Sequence, residues 1–554
     1  MAATIIVNSS ADDVNDHDGL CTLREAIVSA NGNAVSGGVA GECAAGQIAP
    51  TVDTIAFAIP GAGVHTISPT ATMPQINQIV TIDGYTQGTA HANTLAIGND
   101  ALLLIEIDGT NVAGTLFNIV GGGSSIVRGL VINRLAATAI YVDSSDFNII
   151  AGNFLGTDPG GNTFQGTTGT PIQIRGNSNV IGGTTPADRN VIVGGSGANA
   201  GTILLMGTNG GNFIQGNYIG VSADGTTRLQ PPGGTDAIEI LVSPGTTIGG
   251  TTAGARNVIV GTIRGIRLGG GGLTTNEVIQ GNYIGTNATG TAGLGGQGIT
   301  TDNGASNTTI GGSAPGAGNV ISGGGTAIFL GDGAAAFTIR GNKIGTDASG
   351  THAIPNSGNG IEIQVPGAGS IIGGTVPGEG NIIAFNCGRG ISFGSAPTFT
   401  QWAMLGNSIH DNGGLGITLA NSSQPLANDA GDGDTGSNKQ QNYPVITSAP
   451  ISVGTATISG TLNSTPNTTF RLEFFASDRC DASGFGEGGT FIGTAQATTD
   501  IAGNAAFSQP TLPLPGPGVV FTATATDPDG NTSEFSQCFG TADLLFRDGF
   551  EPSC

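Results

Sequence analysis

Three groups of residues in this sequence have types and spacings that could do chemistry. The first is acidic. Asp429, Asp432 and Asp434 lie close together in the run Asp429-Ala430-Gly431-Asp432-Gly433-Asp434, and Asp527 and Asp529 do so in Asp527-Pro528-Asp529-Gly530-Asn531. Carboxylates spaced around a glycine turn suit an oxygen-seeking cation, so Ca2+ is the metal expected at these positions. A third acidic run spans Asp12 to Asp18. None has the distal Glu of an EF-hand, and each also reads as an Asx-rich turn facing water.

The second group is Glu239, Arg267 and Asp302. Glu239 and Arg267 each sit just after an isoleucine of a recurring apolar patch and are expected side by side on the outside of one sheet, with Asp302 one coil further and two residues along. Paired carboxylates flanking a cleft are what glycoside hydrolysis uses, one as acid and one as base or nucleophile. A polysaccharide lyase would want a basic residue and a stabiliser for enolate-like charge, yet the chain has only two lysines, Lys343 and Lys439. The plainer reading is a cross-strand ion pair on a wetted sheet face.

The third group is aromatic. Phe154, Tyr218 and Tyr283 each follow an Asn in a recurring Gly-Asn string. At twice the strand spacing the rings would recur about every 9.6 Å, close to a disaccharide repeat, and their amphipathic faces suit sugars. Alternatively, inserted loops fold over this stripe and bury it as a second small core.

The elements that must position these groups come from a repeat. Gly-Asn and Arg-Asn strings place Asn at 153, 190, 217, 257, 282, 319, 342, 381 and 407, a period of about 31 residues. A second column holds Ile140, Ile172, Ile203, Ile238, Ile266, Ile299, Ile328, Ile361, Ile391 and Ile417. Each patch is three to five apolar residues with period-2 alternation, too short for a helix and unable to bury its face alone. Such strands must stack coil on coil, with Asn forming a hydrogen-bonded column. Trp402, in phase with Met404, is expected to plug the interior near the last coil.

This pattern resembles the right-handed parallel β-helix of the pectin-lyase-like superfamily over residues 51–425. The resemblance implies an all-β solenoid, a fold that hosts many unrelated functions. Open ends of a β-helix need covers, and both termini supply one. Residues 1–50 contain Cys21-Thr22-Leu23-Arg24-Glu25-Ala26, where Thr22 and Glu25 have capping-box spacing. The motif resembles the CSLREA module at the head of secreted bacterial repeat proteins, with Thr22 in place of Ser, and implies a capping module. After an acidic linker at 426–442, longer strands are expected at Ala456 to Leu462, Thr469 to Ala476 and Val519 to Thr526. Residues 443–540 resemble a small Ig-like β-sandwich. The tail 541–554 resembles a short C-terminal signature of some secreted gammaproteobacterial proteins.

Composition narrows the function. Of 554 residues 99 are Gly and 25 Pro, only 10% are charged, and hydrophobic residues hold at 38%. That favours short strands and turns over helices and is too apolar for a disordered chain. A net charge of −23 disfavours nucleic acid as a partner, and no apolar run reaches the length of a membrane span. Six cysteines without metal-site spacing fit an oxidising compartment. The expected pairs are Cys21 with Cys43 and Cys480 with Cys538, with Cys387 and Cys554 left over. The start, Met-Ala-Ala-Thr, reads as a mature secreted form carrying a fresh Met. The expected role is a secreted or cell-surface bacterial protein that binds extended ligands, polysaccharide or surface glycan foremost. A polysaccharide-degrading lyase or hydrolase is the alternative, and a structural spacer the third reading.

Overall fold

The computed structural model describes residues 2–540, apart from positions 16, 122, 196–200, 208–209, 230–233, 303, 332, 334, 368, 395–398 and 517. The tail expected at 541–554, with Cys554, lies outside the described residues. The chain is a right-handed parallel β-helix with an N-terminal capping module, followed by an antiparallel β-sandwich. It divides into two compact units, Met1–Gly290 with Leu294–Gly296, and Thr291–Gly293 with Gln297–Cys554.

In the first unit one coil runs through Ile126–Arg128 in the first sheet, Leu130–Asn133 in the second, Ile140–Val142 in the third, and Ile149–Ala151 back in the first. All three sheets are parallel and in register, with Ile172 beside Ile140 and Ile203, and Ile238 beside Ile203 and Ile266. Each of these isoleucines is fully buried. The asparagines stack as the spacing predicts. Asn153 Nδ2 donates to Asn190 Oδ1 at 3.2 Å, Asn190 to Asn217 at 2.8 Å, Asn217 to Asn257 at 3.1 Å and Asn257 to Asn282 at 2.9 Å. The same amides also donate to strand carbonyls of other coils, as Asn217 does to Ile181 at 2.8 Å. A buried amide column is tolerable only because nearly every donor and acceptor is used.

The N-terminal module contributes to the solenoid itself. Thr4–Val7 pairs in parallel with Asp53–Phe57, so the first sheet begins well before residue 51. The helix Leu23–Gly32 starts at a capping box in which Thr22 and Glu25 satisfy each other's backbone N–H. It buries Leu23, Ala26, Ile27 and Ala30 and packs against those two strands, covering the sheet edge that would otherwise recruit another chain. Cys21 and Cys43 are bonded, and Arg24 grips Asp12 at 2.7 Å.

The second unit repeats the design. Asn319, Asn342, Asn381 and Asn407 form a ladder with successive contacts of 2.9 Å. Trp402 is fully buried, stacked near Phe337 and edge-on to Phe393. Of residues 426–442, only Ser437–Gln440 forms a short helical turn. The sandwich follows. One sheet holds Val445–Ser448, Ile451–Ser452, Thr455–Asn463 and Asn504–Pro513, the other Thr469–Ser477 between Thr490–Thr498 and Val520–Thr526. Its core gathers Ile458, Leu472, Phe474 and Phe521, and Cys480 and Cys538 are bonded. Cys387 is also in a disulfide.

Three buried glutamates of the sandwich finish the last coil. Glu473 accepts from the Gly406 N–H at 2.8 Å, Glu487 from the Asn412 backbone and side chain, and Glu534 from the N–H groups of Leu419 and Leu426 at 2.9 and 2.8 Å. Backbone donors that another coil would have paired are thereby satisfied.

Candidate functional site

The acidic run before the sandwich closes on itself. Gly431 and Asp432 both adopt positive φ, 78° and 57°, which turns the chain so that one oxygen from each of Asp429, Asp432 and Asp434 lies within 4.8 Å of the others. Asp432 is held by the Asn442 N–H at 3.0 Å and the Ser464 hydroxyl at 2.6 Å, and Asp429 accepts from the Gly433 N–H at 3.1 Å. Oδ1 of Asp429 and Oδ1 of Asp434 are buried and accept no hydrogen bond. Burial pushes the Asp432 carboxyl up to about 6, with the charges of Asp434 and Asp429 adding to the rise. Asp434 is raised by burial and by Asp429. Ligands about 2.4 Å from a calcium ion lie at most about 4.8 Å apart. The spacing and the two orphaned oxygens therefore fit such an ion.

Asp527 and Asp529 are elsewhere. Lys439 Nζ lies 3.6 Å from Asp527 and 2.9 Å from Asp529, and Asp527 also accepts from the Asn531 backbone and side-chain amides at 2.8 and 2.7 Å. These two carboxylates already have a cation and an Asx turn between them. Among the described residues they are not part of the carboxylate cluster formed by Asp429, Asp432 and Asp434.

Glu239 and Arg267 stand side by side in register, with Nη1 2.5 Å from Oε1. Glu239 is 0% exposed. Burial raises its pKa, opposed by Arg267 and reinforced by Asp236, and its Oε2 accepts no hydrogen bond. Asp302 is half-buried and belongs to the second unit. A solvent-facing acid and base pair at Glu239 is therefore overturned, because its carboxyl is buried against Arg267.

The aromatic stripe is corrected in the same way. Phe154, Tyr218 and Tyr283 are 1%, 3% and 9% exposed, and Phe154 and Tyr218 share a cluster with Val191, Val258 and Ala288. The loops after the Phe154 and Tyr218 strands fold back over their own rings. At Gly161 an added Cβ would meet the Phe154 ring at 2.9 Å, and at Gly225 the Tyr218 ring at 3.1 Å. Both glycines have positive φ, about 70° and 74°, so the cover depends on them. Successive loops of this kind join, the Ala223 N–H donating to Gly161 O and Ala288 to Gly225 O, both at 2.9 Å. Arg189 and Arg256 stack on Tyr218 and Tyr283 at 4.6 and 4.2 Å. Alternation of loops coil by coil was the only signal in the sequence for this burial.

Side chains open to ligand lie on the outer face of the third sheet. Tyr141 is half-buried, in register with Asn118 on one side and Gln173 on the other. The exposed Arg175 guanidinium lies 5.8 Å from its ring centre. Burial and the neighbouring Asp143 raise the phenol pKa. In the second unit Phe329 is in register with Glu362, whose carboxylate accepts from Gln364 at 2.8 Å and Asn359 at 3.3 Å. Both clusters join a half-open ring to amides and a carboxylate.

No family model matches the chain, and no curated protein matches it. Among solved structures it is similar to the A-module of a mannuronan C-5 epimerase from Azotobacter vinelandii, at 11% identity over 61% of this chain and 86% of that one, with a TM-score of 0.28. It is also similar to tailspike protein 2 of Escherichia coli O157:H7 bacteriophage CAB120, at 13% identity over 89% of this chain and 65% of that one, with a TM-score of 0.24. A tailspike of an Acinetobacter phage gives 8% identity, 90% and 79% coverage, and a TM-score of 0.26. What this chain does has to be read from its own side chains. Among the described residues no helix is long and apolar enough to cross a membrane.

Proposed function

We propose that this is an extracellular or cell-surface protein that binds an extended polysaccharide along the outer face of its third sheet without cleaving it. The observation that carries this is the Tyr141 cluster. A ring half open to water sits between Asn118 and Gln173 on adjacent strands, with Arg175 beside it. Aromatic faces stack on the apolar faces of sugar rings, and neighbouring amides, carboxylate and guanidinium match sugar hydroxyls. Binding is favoured over turnover because Glu239, the strongest acid/base candidate, is buried. The bonded Cys21–Cys43 and Cys480–Cys538 pairs suit an oxidising compartment.

The test is a polysaccharide panel probed for binding and for turnover, read as new reducing ends and as absorbance from unsaturated uronic acids. Binding without turnover, lost in Tyr141→Ala, supports the reading. Turnover by the wild type, or no binding to any polysaccharide, overturns it.

A second proposal is a Ca2+ ion held by Asp429, Asp432 and Asp434. It rests on their mutual spacing and on two carboxylate oxygens that are buried without a partner. Such an ion would offset the burial and the smaller mutual repulsion that raise Asp432 and Asp434 and would fix the segment leading into the sandwich.

A further inference from the structure

At the corner two residues before each of six successive strands of the first sheet, from Ile126–Arg128 to Val278–Gln280, the backbone is left-handed. In the first unit these positions are Ser124, Ser178, Gly211, Gly245 and Asn276, with φ between 54° and 69°, and Phe147 at 61°. Small residues and Asn tolerate this conformation, whereas a bulky aromatic is strained in it. Phe147 gains little from packing in return, since 62% of it is exposed. An unfavourable backbone state combined with an exposed ring points to use at the surface.

The ring does not stand alone. Ile149, two residues on, faces outward in register with Val180, and Val180 with Phe213, which is 39% exposed. The row continues through Thr247 and Val278. Phe147 and Phe213 are on coils two strands apart, roughly 9.6 Å along the stack, with Phe147 offset a further two residues, about 6.6 Å, along the strand direction. Ile149 and Val180 form the apolar surface beside the two rings. The row is uncharged, in a chain of net charge −23. The nearest charges are spoken for: Arg128 is bonded to Asp83 at 2.6 Å, and Asp146 accepts from the Asn177 backbone at 2.7 Å and its side chain at 3.1 Å.

We infer that this row is a second ligand surface, and that its occupant is a neutral, extended polysaccharide laid across the coils with sugar faces on Phe147 and Phe213. A polyuronate would meet the acidic remainder of the molecule without cations to receive it, whereas the uncharged apolar strip matches the ring faces of neutral sugars. This goes beyond the third-sheet site and shares with it only the class of ligand.

The experiment uses the full chain, with Phe147→Asn, Phe213→Ser and Tyr141→Ala, titrated with a soluble neutral β-glucan, a galactomannan and polygalacturonate. Asn suits a left-handed backbone, so Phe147→Asn should leave the melting temperature unchanged or raise it while neutral-glycan affinity falls at least tenfold. Phe213→Ser should show the same loss, and polygalacturonate should bind no better than to Phe213→Ser. If neutral-glycan binding survives both phenylalanine variants but fails in Tyr141→Ala, this surface is overturned and the third-sheet site stands. Self-association of the wild type that disappears in both phenylalanine variants without any change in glycan binding likewise overturns it in favour of a second copy as occupant. If the wild type binds no polysaccharide at all, the third-sheet reading falls as well.

Discussion

The Asn412 side-chain amide donates to the Glu487 carboxylate at 2.8 Å, and the Asn412 backbone N–H donates to the same group at 3.2 Å. Asn356, Asn386 and Asn412 form a second amide ladder in the second unit, with steps of 2.9 and 2.8 Å. Its last rung is therefore a glutamate of the sandwich. Solenoid and sandwich are joined by the same kind of hydrogen bond that joins coil to coil.

This junction should be sensitive to alkali. Burial pushes Glu487 up to about 8, and it raises Glu473 and Glu534 as well. A carboxyl raised in the folded state binds its proton there more tightly than in the unfolded chain. Its contribution is full below the ordinary carboxyl range near 4.3 and is lost as pH rises through about 8. The melting temperature of the transition that includes the sandwich should fall between pH 5 and 8.5. Glu487→Gln should flatten that slope, and calorimetry across the range would measure it.

Calcium should stabilise the wild type and do nothing for Asp434→Asn. At a hundredfold excess over its dissociation constant the ion would add about 2.7 kcal/mol, a rise of a few degrees in a unit of this size. Melting curves in chelator and in 10 mM CaCl2 decide it, and identical curves would remove the metal from the account.

Gly161→Ala should destabilise the first unit more than an ordinary glycine replacement. The new Cβ meets Ala223 Cβ at 2.8 Å and the Phe154 ring at 2.9 Å, on a backbone with φ near 70°. A cost of about 1–3 kcal/mol is expected, and about 3–5 kcal/mol for Phe154→Ala. Urea unfolding of the full chain measures both.

Asn217→Leu should cost more still for its size. Asn217 is fully buried, and its amide donates to Ile181 O, Gln215 O and Asn257 Oδ1, while its own Oδ1 accepts from Asn190. Replacement leaves several buried polar groups unpaired at about 1–3 kcal/mol each, and hydrogen exchange should show local loosening of the neighbouring coils.

The columns were legible because a solenoid repeats its solution: Ile238 and Asn217 occupy the same environment as their counterparts in other coils, so a periodic sequence suffices. The cover over Phe154 and Tyr218 was legible only as one of two readings, because the choice depends on how a non-periodic loop bends at Gly161 and Gly225. The strand Thr4–Val7 has the pattern of a coil strand but is cut off from the repeat by the helix and its loops. In the acidic groups, proximity in sequence predicted the meeting of Asp429, Asp432 and Asp434. It gave no hint that Lys439, some 90 residues distant, fills the turn at Asp527 and Asp529. Glu487 was invisible for a similar reason, since nothing local marks a glutamate that serves a coil far earlier in the chain.

The joined loops over the second sheet set the step by which such a molecule can lengthen or shorten. Ala223 reaches back to Gly161, and Ala288 to Gly225, each across two coils. Deleting a single coil would bring unlike corners together and leave a ring bare, whereas excising two would bring matching loops into contact. The viable quantum of duplication or loss is thus the pair, and its seams should fall between one roofed ring and the next.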